Sequence, residues 1–150
     1  MQATKTLQIY KAPLVLVINL KRFKPGKNRY ASSYGGGGGK LQTLVDFPIE
    51  GLNLQDYILD KHEEKPYVYD LFGISNHYGG LGGGHYTAFA KNWKENTWYS
   101  YDDSSCSKTS SSRIITDAAY NLFYRRRDEV DLGNINYDGL RQSATIESLE

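Results

Sequence analysis

From residue 41 onward, no connection in this 150-residue chain is patterned to hold a crossover helix. Parallel strands need such a crossover of roughly a dozen residues or more, so the strands that follow must pair antiparallel. Strand signals are abundant, and 13 tyrosines with five phenylalanines favour a sheet over a helical bundle. Residues 14–20 (LVLVINL) form a continuous β-branched-rich run after Pro13, which predicts a strand buried on both faces. Lys21-Arg22-Phe23 carries that run toward solvent, and Pro25-Gly26 ends it. Strand character returns at residues 41–49, 67–75, 85–91, 97–101 and 120–127. Residues 52–59 predict a short helix or turn, 113–119 a short helix, and 104–112 a polar loop. The predicted fold class is α+β: a mainly antiparallel β-sheet of six strands with one or two short helices.

The length suits one domain, with about two-thirds of the unfolded surface buried. That domain is predicted over residues 1–127, with 128–150 as a flexible acidic tail. The tail holds six acidic residues and Arg141 (net −5), which leaves 17 basic and 11 acidic residues (net +6) in 1–127. Solvated surface accounts for so mild an asymmetry, and the near-zero total gives no case for nucleic acid. The arginine triplet 125–127 reads as a solvated strand end, because no aromatic platform accompanies it. The longest apolar run, 12–18, contains Pro13 and is too short to span a bilayer. A single cysteine, Cys106, excludes an internal disulfide framework. With no charged-then-apolar leader at the start, it fits a reducing compartment, the cytoplasm and/or nucleus.

Two glycine-rich stretches stand out. Gly35 to Gly39 is five consecutive glycines, and it predicts a disordered loop tip. A phosphate-loop reading of Gly39-Lys40 fails, since Tyr34 and Leu41 stand where glycine and a hydroxyl are required. The second stretch runs His77-Tyr78-Gly79-Gly80-Leu81-Gly82-Gly83-Gly84-His85 and passes at once into the strand at 85–91. Glycines let a second backbone approach closely. A histidine where such a loop becomes a strand has a rigid base, an open side and a pKa near neutrality. On the sequence, structure alone gives no reason for these glycines.

A hairpin centred near Trp93-Lys94 would place His85 opposite Asp102, Thr87 opposite Ser100 and Phe89 opposite Trp98. Directly opposed residues share a face. Asp102 could then accept the proton of one imidazole nitrogen and leave the other as a base, and a one-residue bulge would offer Asp103 instead. A buried histidine bonded to a structural aspartate is the bland alternative. Cys106 has aspartates nearby, which oppose thiolate formation, so it reads as a bystander. One cysteine and scattered histidines do not make a zinc set, so no metal ligand is assigned.

Five motifs occur in order: Pro13-Leu14 through Leu20-Lys21-Arg22-Phe23; Val45-Asp46-Phe47-Pro48; Gly83-Gly84-His85-Tyr86-Thr87-Ala88; Trp98-Tyr99-Ser100-Tyr101-Asp102-Asp103-Ser104; and Ala119-Tyr120-Asn121-Leu122-Phe123-Tyr124. Together they resemble the C-terminal half of the ubiquitin-specific protease catalytic domain, a papain-like cysteine protease family. The resemblance covers roughly residues 3–127.

It implies that His85 is the catalytic base, Asp102 the triad acid and Asp103 their polar neighbour. It implies that His77, Tyr78, Gly79, Gly80, Gly83, Gly84 and Tyr86 line the path of the ubiquitin tail, with 60–66 in the place of a second framing loop. The family's nucleophilic cysteine and zinc-binding cysteine pairs lie upstream of anything present here. The chain is therefore expected to hold no cofactor, with structural zinc confined to the missing upstream fingers. The implied partners are ubiquitin, ubiquitinated proteins and the missing N-terminal half of the domain. The implied activity is hydrolysis of (iso)peptide bonds after ubiquitin's C-terminal glycine, with this chain alone inactive. The alternative is a non-catalytic ubiquitin-binding module or pseudoenzyme fragment.

Overall fold

The computed structural model describes residues 3–23, 39–59, 67–80 and 83–127. Its seven strands are β1 (Val15–Asn19), β2 (Leu52–Asn53), β3 (Val68–Gly80), β4 (Gly83–Asn92), β5 (Thr97–Asp102), β6 (Ser105–Thr109) and β7 (Ala119–Arg126). They form one sheet in the order β1-β7-β3-β4-β5-β6, with β2 paired to β3 beside this path. Every pairing between strands is antiparallel, as the short connections require. Among the described residues the helical content is two 3-10 turns, Gln55–Tyr57 and Ser111–Arg113.

One row of side chains shows how the sheet is built. Ile18 pairs with Leu122, Leu122 with Ile74, Ile74 with Phe89, and Phe89 with Ser100. Opposed residues share a face, so this row marks the core face. Leu71, Ile74, Leu122, Tyr124, Ile58 and Ile114 are buried in that core. Two tyrosines close it with polar ends satisfied: Tyr124 donates to the Pro48 carbonyl at 2.7 Å and Tyr69 to the Pro13 carbonyl at 2.7 Å.

Several sequence expectations change. β1 pairs with β7 alone among the described strands and is not buried on both faces, for Val15 and Val17 are 48% and 53% exposed. Arg22 does not continue toward solvent. It is 3% exposed, and its guanidinium donates to the carbonyls of Ala119 (2.6 Å), Leu41 (2.9 Å) and Thr43 (2.8 Å). Residues 41–49 are not a strand. Arg22 occupies two of their carbonyls, the Ile49 carbonyl accepts from the Leu71 amide, and Pro48 has no amide to give a ladder. Residues 52–59 divide into β2 and a 3-10 turn.

Residues 104–112 are no loop, for they include β6. That strand hides from an apolar-pattern reading because it is a largely exposed, polar edge. The helix expected at 113–119 is absent: one 3-10 turn precedes it, and Ile114, Ala118 and Ala119 are buried as the chain turns into β7. Six expected strands become seven. The arginine triplet is partly tied down, with Arg127 bidentate to Asp70 at 2.5 and 2.7 Å. The glycines 35–38, the loop 60–66 and the tail 128–150 lie outside the described residues.

Candidate active site

β3 and β4 continue much further toward each other than the glycine pattern suggests. The ladder holds Tyr78 opposite His85, Gly79 opposite Gly84, and Gly80 opposite Gly83. The expected glycine loop is therefore mostly hairpin, with only residues 81–82 between the two strands outside the description. Two of its glycines have a packing reason after all. Gly79 has φ +93°, and a Cβ there would lie 2.7 Å from the Gly83 carbonyl oxygen. A Cβ on Gly84 would overlap the His77 imidazole and the Tyr78 carbonyl. Gly80 and Gly83 differ, since nothing lies within 4 Å of a Cβ at either.

The β4–β5 register is two residues from the expected one. Ala88 opposes Tyr101, Phe89 opposes Ser100 and Lys91 opposes Trp98, so His85 is not directly opposite Asp102. The cause is a four-residue turn, 93–96, in place of a tight one. Asn92 Oδ1 accepts from the Lys94 and Glu95 amides at 3.0 and 3.1 Å, and Asn96 takes φ 50°. A shift of two preserves the side-chain face. His85 and Asp102 thus stay on one face as diagonal neighbours, a spacing long side chains bridge. They do meet: His85 Nε2 is 2.5 Å from Asp102 Oδ1.

Asp102 ends β5, and the next turn, Asp103-Ser104, connects it to β6, with Asp102 paired to Ser105. Asp103 has φ 48°, a left-handed conformation that its short polar side chain tolerates better than most. The doublet therefore has two roles, one ladder residue and one turn residue. Both side chains of the pair are half-exposed, 48% for His85 and 57% for Asp102. The hydrogen bond to Asp102 raises the His85 pKa above its ordinary value, helped by the Asp102 and Asp103 charges and opposed by desolvation. No described residue bonds His85 Nδ1, so the arrangement is an imidazole with one nitrogen held by a carboxylate and the other free.

His77 sits on the other face, opposite Tyr86, and is 4% exposed. Burial, followed by the charge of Lys40, pushes its pKa below the ordinary value. Its ring is thus buried within the chain, whereas Tyr78 and Tyr86 are exposed at the hairpin's end. Cys106 opposes Tyr101, which opposes Ala88, so its thiol belongs to the face away from His85. His85, Asp102 and Asp103 bring one donor atom each within 4.8 Å of one another, all exposed. Nε2 is already engaged by Asp102 there. A concavity of about 480 Å³ lined by Ile49, Glu50, Lys91, Asn96, Trp98 and Ser111 opens at the far, turn end of β4 and includes none of these residues.

Sequence reasoning missed Asn76, which is fully buried one residue before His77. Its amide donates to Thr87 Oγ1 at 3.3 Å, and its oxygen accepts from Thr116 Oγ1 at 3.4 Å. It also missed Lys40, whose Nζ donates to the His77 carbonyl. Neither carries a local pattern that would have announced it.

His85 and Asp102 thus form a histidine–carboxylate pair on an antiparallel sheet, with a glycine-rich hairpin beside it. The ubiquitin carboxyl-terminal hydrolase family pattern matches residues 2–124, and the chain belongs to that family. Ubiquitin carboxyl-terminal hydrolase 4 of mouse is 48% identical over 128 residues, covering 85% of this chain and 12% of that protein. Ubiquitin carboxyl-terminal hydrolase 15 of human is 49% identical over 127 residues, again 85% and 12%. The solved SAGA Ubp8/Sgf11/Sus1/Sgf73 DUB module bound to ubiquitin aldehyde superposes with a TM-score of 0.67 at 34% identity, covering 81% of this chain and 26% of that one. The chain thus spans about an eighth of the curated relatives it matches.

Proposed function

We propose that this chain is the palm portion of a deubiquitinating thiol protease and supplies its base and its acid. The observation that carries the reading is the 2.5 Å contact of His85 Nε2 with Asp102, which leaves Nδ1 for the reaction. Nδ1 takes the proton of a cysteine thiol supplied by sequence outside this chain. The thiolate attacks the carbonyl carbon of ubiquitin's terminal glycine, and Nδ1–H then protonates the departing lysine amine. Water, deprotonated by the same nitrogen, cleaves the thioester and regenerates the thiol. Asp102 fixes the tautomer and supports the imidazolium, and Asp103 adds negative charge beside it.

Ubiquitin is the ligand that the likeness to Ubp8, solved with ubiquitin aldehyde and with monoubiquitin, supports. Gly80 and Gly83 agree with it: packing within the chain does not demand their bareness, whereas a diglycine tail sliding past needs it. Residues 1–127 would be the working unit, in a reducing compartment of cytoplasm or nucleus that keeps the thiol active.

The test is hydrolysis of a fluorogenic ubiquitin C-terminal amide. The 150 residues alone should show none, and joining them to a cysteine-bearing upstream half should give turnover that His85→Ala abolishes. Turnover by the chain alone would overturn the view of Cys106 as inert. Tight ubiquitin binding without turnover by the joined protein would favour the binding-module reading.

A further inference from the structure

We infer that His77 is a positioning residue that fixes the aim of His85 by gripping the backbone on both sides of it. The inference rests on the hydrolase reading above only for its kinetic consequence.

The grip is visible in the ladder. His77 is paired with Tyr86, the residue after the base, and their rings stand 4.7 Å apart between centroids. Gly84, the residue before the base, is seated directly on the edge of the same imidazole, so closely that even one added methyl would overlap Nε2. His85 itself projects from the opposite face, beside Tyr78. A single buried ring therefore sets the positions of residues 84 and 86, and residue 85 has no independent freedom between them.

The ring is in turn held from every side. Its backbone amide donates to the Ala118 carbonyl at 2.9 Å, and its carbonyl accepts from Lys40. Phe23 meets it edge-on at 5.3 Å and Tyr120 at 5.9 Å. Among the described residues its buried Nδ1 has no hydrogen-bond partner, and a buried polar atom left unpaired is costly. An imidazole kept there at such a cost, packed against Phe23, Tyr86 and Gly84, fits a role in shape and packing. Aromatic packing of this kind fixes distances, and a misplacement of about 1 Å at a reacting group costs roughly 100-fold in rate.

Two variants test this, with the His85 pKa of the 150-residue chain followed by NMR of the imidazole C–H resonance. His77→Ala removes the ring. It should bring the His85 pKa back toward its ordinary value, because the bond to Asp102 is no longer enforced. In the joined enzyme it should lower kcat roughly 100-fold, with KM changed less than about 3-fold. His77→Phe keeps a ring between Phe23, Tyr86 and Tyr120, and should keep the raised His85 pKa. Should His77→Ala fail to fold, His77→Phe decides: a fall of the His85 pKa there overturns the inference. A folded His77→Ala chain in which His85 titrates as in the parent also overturns it. Because the pKa readout needs no hydrolysis, it stands even if the joined protein proves inactive, so failure of the hydrolase reading is recognised separately.

Discussion

His85 and Asp102 meet on a diagonal across the β4–β5 ladder, with 2.5 Å between Nε2 and Oδ1, although neither is the other's ladder partner. The pair owes its existence to two turns. The four-residue turn at 93–96 sets the stagger, and the Asp103-Ser104 turn ends β5 at Asp102. That dependence gives the first expectation.

Asp102→Asn should lower the His85 pKa toward its ordinary value, because the hydrogen bond and charge of Asp102 are the leading causes of its elevation. Asp103→Asn should lower it less, since Asp103 contributes only its charge and ranks last among those causes. An NMR pH titration of the three-histidine chain reads both. Equal effects from the two variants would mean the diagonal contact does not form in solution.

The glycines of the hairpin should separate into two classes. Gly79→Ala and Gly84→Ala force a Cβ into backbone or into His77, and should each cost about 1–3 kcal/mol. Gly80→Ala meets open space and should stay within about 0.5 kcal/mol of the parent. Urea unfolding monitored by tryptophan fluorescence measures all three. In the joined enzyme, Gly80→Ala should nonetheless raise KM for ubiquitin substrates.

His77 gives a pH dependence of stability whose sign is fixed by its lowered pKa. As pH falls below about 6.5, the unfolded chain takes up a proton that the folded chain refuses, so folding is weakened. His85 acts in the opposite sense: its raised pKa stabilises the fold at acid pH, and that contribution is lost as pH rises through the folded value. Comparison with His77→Phe isolates the first effect. Between about pH 7.5 and about pH 5.5 the variant's urea midpoint should fall less than the parent's.

Tyr124 should remain un-ionised far into alkali, because burial pushes its pKa up to about 12. Its hydroxyl donates to the Pro48 carbonyl in a part-buried bond, so Tyr124→Phe removes that bond and should cost roughly 0.5–1.5 kcal/mol. Spectrophotometric titration together with denaturant unfolding of the variant checks both statements.

The antiparallel class, the strand cores and the face shared by His85 and Asp102 were legible in the sequence because they rest on period two, which survives a register slip of two. The register itself was not. It depended on Asn92 capping two amides, and a side chain's bond to its own turn leaves no mark in hydrophobic pattern. β6 was missed because Ser105-Cys106-Ser107-Lys108-Thr109 has no apolar face to alternate. Arg22 was misplaced because a charged residue at a strand end ordinarily points to water, whereas here three carbonyls from two distant segments stand in for it. The burial of the His77 ring was not legible either. Neighbouring strands turned it inward and the His85 ring out, which only the assembled ladder could decide.

The place of β7 between β1 and β3 has a consequence for how the chain reaches this state. β3, β4, β5 and β6 follow one another as hairpins and can zip from local contacts. β1, by contrast, pairs among the described strands with β7 alone, from Val15↔Arg125 to Asn19↔Asn121, across most of the described sequence. Closing so long a loop is entropically slow, and high contact order of this kind sets folding rates. The hairpins that bring His85 to Asp102 are thus built to form early, and the seal between first and last strands late. A chain with β6 released but β7 not yet paired would hold His85 and Asp102 in a sheet whose β3 edge is still open, a state prone to misassembly.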